Sequence, residues 1–262
     1  MTIFQTIAEI EKEGRNAALC MVIEAKGSTP RHPGSKMIVF PDGKIDGTVG
    51  GGETERRVIQ EALLSIVDGK TRIIHYNLSD PANGDTGVCG GNITIYIEPI
   101  TRASDLYIIG AGHVGKAVAH LAKWLGFRVV VVDDRSDLCS KENIPDADQF
   151  FIGPASTFVQ EYPITNDTSI VLTTRGTDID LEFIPILLQT STGYVGVIGS
   201  KRRWLFTKKA LLSSGISEDK LNTIHSPIGL DIGAETPEEI AVSIMAEIIR
   251  YRSGGTGKEL SR

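Results

Sequence analysis

The chain has 262 residues, with 33 Asp and Glu against 27 Lys and Arg, a net charge of −6 with His neutral, and 41% hydrophobic residues. That length and make-up suit a globular chain with room for one large domain or two ordinary ones, and the acidic balance argues against a broad nucleic-acid surface. Three cysteines and an N-terminus without a basic, apolar leader point to a cytoplasmic setting, and no run approaches the ~18 apolar residues of a membrane span.

In chain order, Ile3, Phe4, Ile7 and Ile10 recur at helical spacing, predicting an amphipathic helix that ends at Gly14. Residues 17–25 read as a buried strand, and the turn-rich run 26–34 leads to a strand over 37–40. A hairpin turn at 41–44 and a strand over 45–49 run into Gly50-Gly51-Gly52 and a helix from about Glu53 to Val67, with Val58, Ile59, Ala62, Leu63 and Ile66 facing inward. Strands over 72–77 and 92–98, separated by a long polar loop, complete an α+β unit expected over residues 1–100.

After a short connector at 101–104 the pattern changes to alternating strand and helix. Strands are predicted over 106–109, 128–133, 149–152, 169–173 and 194–198, with crossover-length segments between them. A last helix opens on Thr236-Pro237-Glu238-Glu239, a capping box with proline at the first helical position, and runs to about Tyr251. The expected fold is therefore α/β: an N-terminal α+β domain, then a Rossmann-like, doubly wound parallel-sheet domain over 105–252, with a frayed tail at 253–262.

The most specific motif is Gly110-Ala111-Gly112-His113-Val114-Gly115, which follows a strand and opens an apolar-faced helix. Gly110 permits the tight turn, Gly112 lets the backbone approach a pyrophosphate, and Gly115 lets the helix sit against the strand. Asp133 ends the next strand and suits a ribose hydroxyl, with Asp134 as runner-up; adjoining Arg135 leaves NAD-like and NADP-like ligands both open. His113 can face the ligand or merely pack at the helix start. Two later loops end strands on the ligand side of such a sheet: Thr174 to Asp180, offering Arg175, Asp178 and Asp180, and Gly199 to Arg203, where Ser200 and the basic side chains suit an anion or form an exposed basic turn.

A second glycine-rich cluster stands well before the fingerprint: Gly47 to Gly52 with Glu53, joined by Cys89-Gly90-Gly91. A cysteine between small residues is accessible, and its thiolate would contact a soft metal or carry sulfur; the alternative is a small residue in a tight turn. Cys20 and Cys139 read as structural. The chain has no CxxC, no HExxH and no Walker lysine after the glycines.

On these residues the chain resembles the XdhC/CoxI family of xanthine dehydrogenase accessory proteins. The resemblance is carried by Gly27 to Arg31, Gly47 to Gly52, Cys89-Gly90-Gly91 and Glu98-Pro99, then by Gly110 to Gly115, Val132 to Arg135, Ile198-Gly199-Ser200, Ser226 to Ala234 and Thr236 to Ala241. One departure is Thr177, which stands where the family often has a histidine.

The resemblance implies a chaperone that binds molybdenum cofactor, as molybdopterin or its cytidine dinucleotide, and favours the sulfurated form. It would deliver it to a molybdenum hydroxylase such as xanthine dehydrogenase, with a cysteine desulfurase as a further partner and a homodimer as the expected assembly. Such a protein acts by handover rather than as an enzyme in the ordinary sense. The phosphate end is then expected at Gly110, Gly112, His113, Gly115, Asp133 and Ser200, and the metal end at Gly51, Gly52, Glu53 and Cys89. An NAD(P)-dependent oxidoreductase would use the same fingerprint, although the chain shows no convincing hydride-transfer pair. A pure interaction module is the third reading.

Overall fold

A computed structural model describes residues 2–77, 91–100 and 103–261, and the chain divides into two compact units, Met1–Arg102 and Ala103–Arg262. The first holds α1 (Ile3–Glu13), β1 (Ala17–Lys26), β2 (Lys36–Val39), β3 (Ile45–Gly47), α2 (Gly52–Asp68), β4 (Arg72–Asn77) and β5 (Asn92–Ile100). Its strands form an antiparallel sheet in the order β3-β2-β1-β5-β4. Alternation sends Ala18, Cys20, Val22, Ile93, Ile95 and Ile97 to one face, where Val58 and Ala62 of α2 cover them. Helix α1 covers part of the other face through Ile10, with Ile3 and Ile7 beside it. It begins in a Thr2/Gln5 capping box and stops at Gly14, whose left-handed φ of 61° ends the helix.

Three local expectations need adjusting, the first being β3, which stops at Gly47, two residues short of its expected end. Phe4 lies beside the apolar face rather than on it, 68% exposed, with Lys36 Nζ 5.5 Å above its ring. Strand β5 runs on to Ile100, two residues past the expected end, because Pro99 pairs with Ala18 beyond the point where β4 starts opposite Ile97. A proline there removes no ladder bond to β4.

The second unit holds β6 (Asp105–Ile109), α3 (His113–Trp124), β7 (Arg128–Val132), β8 (Gln149–Phe151), α4 (Ala155–Glu161), β9 (Ser169–Leu172), α5 (Thr177–Leu187), β10 (Tyr194–Val197), α6 (Lys201–Ser213), α7 (Glu218–Leu221) and α8 (Pro237–Ser253). Its five strands are all parallel in the order β10-β9-β6-β7-β8. Parallel strands are buried on both faces, which is why they read as continuous apolar runs such as Val129 to Val132 rather than as alternation. Helices α3 and α8 pack on one face, and α4, α5 and α6 on the other. The chain leaves β6 toward β7 and β8, then returns to β9 on its far side; that reversal beside β6 opens a crevice at the carboxyl ends of the strands.

The segment after α7 adds a short parallel bridge to the sheet at Gly196 and His225. Glu247 of α8 anchors it by accepting from Gly229 N–H and pairing with His225 Nδ1 at 3.2 Å. No helix among the described residues is long and apolar enough to cross a membrane.

Candidate functional site

The turn after β6 is built by steric necessity. Gly110 has φ +119°, and a Cβ there would stand 2.6 Å from the Thr173 carbonyl oxygen; a Cβ on Gly115 would stand 2.0 Å from that of Gly110. No side chain fits at either position, so the start of α3 lies against the turn. Thr173 donates its hydroxyl to the Gly110 oxygen at 2.8 Å and ties the turn to the end of β9.

Gly112 differs from both. It is the N-cap of α3 at φ −75° and supplies no side-chain cap, and a Cβ added there would meet no atom within 4 Å. The first amides of α3 are therefore left for an anion, at the positive end of a 12-residue helix. His113 is the first residue of that helix and is exposed.

Asp133 organises the turn from the end of β7. Its carboxylate accepts Ala111 N–H at 2.7 Å, and from Arg135 the backbone N–H at 3.0 Å and Nε and Nη2 at 2.8 Å each. Burial pushes its pKa up, but Arg135 and these amides together outweigh burial and hold the carboxyl far below its ordinary range. Asp134 has a different partner. Arg175 donates to both of its oxygens at 2.8 Å from the loop after β9.

Between these loops lies a cleft of about 350 Å³. Gly110, Asp133, Asp134, Arg135, Thr174 and Arg175 supply its polar wall, and Ile109, Val132, Ile179 and Phe183 its apolar one. Gly153, Pro154 and Glu182 close the far side. These last three were not expected from the sequence, although Gly153-Pro154 follows a strand's carboxyl end and carried the signal. Glu182 accepts Ala155 N–H at 3.0 Å and so fixes the start of α4.

Other expected residues make supporting contacts within the unit. Ser200 is the N-cap of α6 and accepts Arg203 N–H at 3.1 Å, so Gly199 to Arg203 is a capped helix start. Arg203 turns back to donate to the carbonyl oxygens of Thr174 and Gly176 at 3.1 Å each and to the fully buried Asp180 at 2.6 Å. Asp180 also accepts from Thr174 Oγ1. This pair braces the loop that presents Arg175.

In the first unit, Gly51 (φ +122°) and Gly52 (φ +59°) turn the chain into α2, which also begins without a side-chain cap. The Glu53 carboxylate is engaged by Arg56 Nη2 at 2.6 Å and Arg57 Nε at 3.1 Å, which hold it below the usual range. A Cβ on Gly91 would meet the Ser28 and Lys26 carbonyl oxygens at 2.5 and 2.6 Å, and one on Gly50 would lie 3.6 Å from Pro30. The 26–30 loop thus touches both glycine segments at one end of the sheet. Cys89 and Gly90 lie outside the described residues. Cys20 and Cys139 are buried, and burial pushes the Cys20 thiol up to about 12. Among the described residues no group of three His, Cys, Asp or Glu is arranged to hold a metal ion.

Comparison with known proteins gives the fold a family. The sequence model of the XdhC Rossmann domain matches residues 106–248, and that of the XdhC and CoxI family matches residues 10–77. The chain is 33% identical over 261 residues to the uncharacterized protein YqeB of Escherichia coli, covering 98% of this chain and 47% of that one. It is 35% identical over 158 residues to a probable xanthine dehydrogenase subunit of Bacillus subtilis, covering 60% of this chain and 46% of the relative. The chain therefore spans about half the length of these two curated relatives. The molybdenum cofactor insertion chaperone PaoD of Escherichia coli is 25% identical over 284 residues, covering 96% of this chain and 88% of PaoD. With both units matched, and the fingerprint turn at the head of the matched Rossmann segment, the chain belongs to the XdhC and CoxI family.

Proposed function

We propose that this protein binds molybdenum cofactor, protects its sulfurated form and delivers it to a molybdenum hydroxylase of the xanthine dehydrogenase kind. The observation that carries the reading is the open start of α3 beside the cleft. Gly112 leaves helix amides free, and the adjoining wall combines apolar side chains with arginine. A flat heterocycle bearing phosphate matches both parts. The likeness to a chaperone named for cofactor insertion supports the choice of ligand. Gly110, Gly112, His113, Gly115, Asp133 and Ser200 form or brace the phosphate end. Gly51, Gly52, Glu53 and Cys89 form the end that meets the metal, with Cys89 contacting molybdenum or carrying sulfur. A cysteine desulfurase supplies that sulfur, and the protein works as a homodimer in the cytoplasm.

Protein purified from a molybdate-replete host is expected to retain a pterin identifiable by mass spectrometry. Cys89→Ser is expected to lower retention of the sulfurated form, and unchanged retention removes Cys89 from the mechanism. Titration with NAD, NADP and CTP separates the oxidoreductase reading, since tight nicotinamide binding without pterin would replace the chaperone.

A further inference from the structure

The Arg175–Asp134 pair has an arrangement that the phosphate-turn reading does not use. Its two residues sit on loops after β9 and β7, on either side of β6, and both line the cleft. The contact is bidentate, and the side chains are 46% and 60% exposed. An ion pair this exposed contributes little to stability, so it exchanges cheaply.

Its neighbours are different. Asp133 is nearly buried, with each oxygen committed to Ala111 or Arg135, so it cannot be released without undoing the fingerprint turn. Arg135 neutralises Asp133, and Arg175 lies 4.0 Å from Asp133. The four groups together carry no net charge while Asp134 is in place. When Asp134 turns outward, the cleft mouth carries one uncompensated guanidinium, and a planar fork that fits a carboxylate fits a phosphate equally.

We propose that Arg175 grips an anionic phosphate of the ligand, and that Asp134 occupies it beforehand as an internal stand-in for that group. The ligand class is a heterocycle that fills the slot of Ile109, Val132, Ile179 and Phe183 and carries a phosphate at the mouth. Asp134 is then a competitor that sets affinity and keeps the empty cleft from holding bulk anions. The inference rests on the reading that this cleft takes the ligand.

The test uses the full chain. Wild type, Asp134→Asn, Arg175→Gln and Arg175→Lys are titrated with CMP, NADP and unphosphorylated cytidine, and pterin retained from a molybdate-replete host is measured on the same preparations. Asp134→Asn is expected to bind the phosphate-bearing probes several-fold more tightly than wild type. Arg175→Gln is expected to bind them at least tenfold more weakly and Arg175→Lys in between, all with the wild-type melting temperature. Cytidine should not distinguish the variants. Weaker binding by Asp134→Asn would mean that the acid reads ligand hydroxyls and would overturn the proposal. So would unchanged binding by Arg175→Gln, or a wild-type protein that neither retains pterin nor binds any phosphate-bearing probe. Nucleotide binding with the expected variant pattern but no retained pterin would leave this inference standing and sink the cofactor reading instead.

Discussion

Helices α2 and α3 both begin on glycine without a side-chain cap, whereas α1, α6 and α8 begin on Thr2, Ser200 and Thr236, each accepting an amide of its own helix. Helix α5 too begins on a glycine, Gly176, without a side-chain cap, but the starts of α2 and α3 show most plainly that such starts are different devices. In α3 the flanking Gly110 and Gly115 are demanded by contact, since any Cβ would strike backbone, while Gly112 at the cap has ordinary φ and open space. In α2 the demand is conformational: Gly51 and Gly52 have left-handed φ with nothing within 4 Å of their missing side chains. Glycine-richness is thus one signal with two causes, close packing and chain direction.

Substitutions separate the two causes, the largest effect first. Gly115→Ala drives a methyl into the Gly110 carbonyl and is expected to cost about 3 kcal/mol in urea unfolding, together with ligand retention. A cost below about 1 kcal/mol would show that the turn yields and that packing does not demand this glycine.

The carboxylate behind the same turn makes it acid-sensitive. Asp133 has a folded pKa held below its unfolded value, so its contribution is fully present above about pH 4 and is lost as pH falls toward the folded pKa. Asp133→Asn should flatten the decline of melting temperature below about pH 4, whereas an equally steep decline would assign it to other carboxylates.

Gly51→Ser meets no atom but must hold φ +122°, and is expected to cost about 1–2 kcal/mol. Thr236→Ala removes an ordinary cap and calibrates the series at about 1 kcal/mol. The smallest effect has the opposite sign. Gly112→Ser supplies the missing cap at a permitted φ and should stabilise by about 0.3 kcal/mol while weakening phosphate binding. Improved stability with unchanged binding would show that the open helix start serves no ligand.

Much of the fold was legible because its signals are local. The capping box of α8, the glycine stops and the apolar runs of β6, β7 and β9 each state their element within a few residues. Pro99 hid the end of β5, because whether a proline is tolerated depends on where the neighbouring strand stops. The candidate site was legible only in part. Gly110 to Gly115 announces itself, but Asp180 and Arg203 read as ligand candidates until their mutual bond shows them to be a brace. Asp133 and Asp134 are adjacent and chemically alike. One is consumed by Ala111 and Arg135, and the other is exposed to a residue 41 positions away.

The sequence by itself determined the alternation of elements, the glycines of the phosphate turn and the family resemblance, since each depends on spacing along the chain. Only the tertiary structure decided which charges are free to meet a ligand. Arg175 and Asp134, on two loops, and Asp180 and Arg203, on helices α5 and α6, are drawn together by the order β9-β6-β7 and the return of α6. The partner that each charge finds there depends on three-dimensional distance, to which sequence separation is no guide.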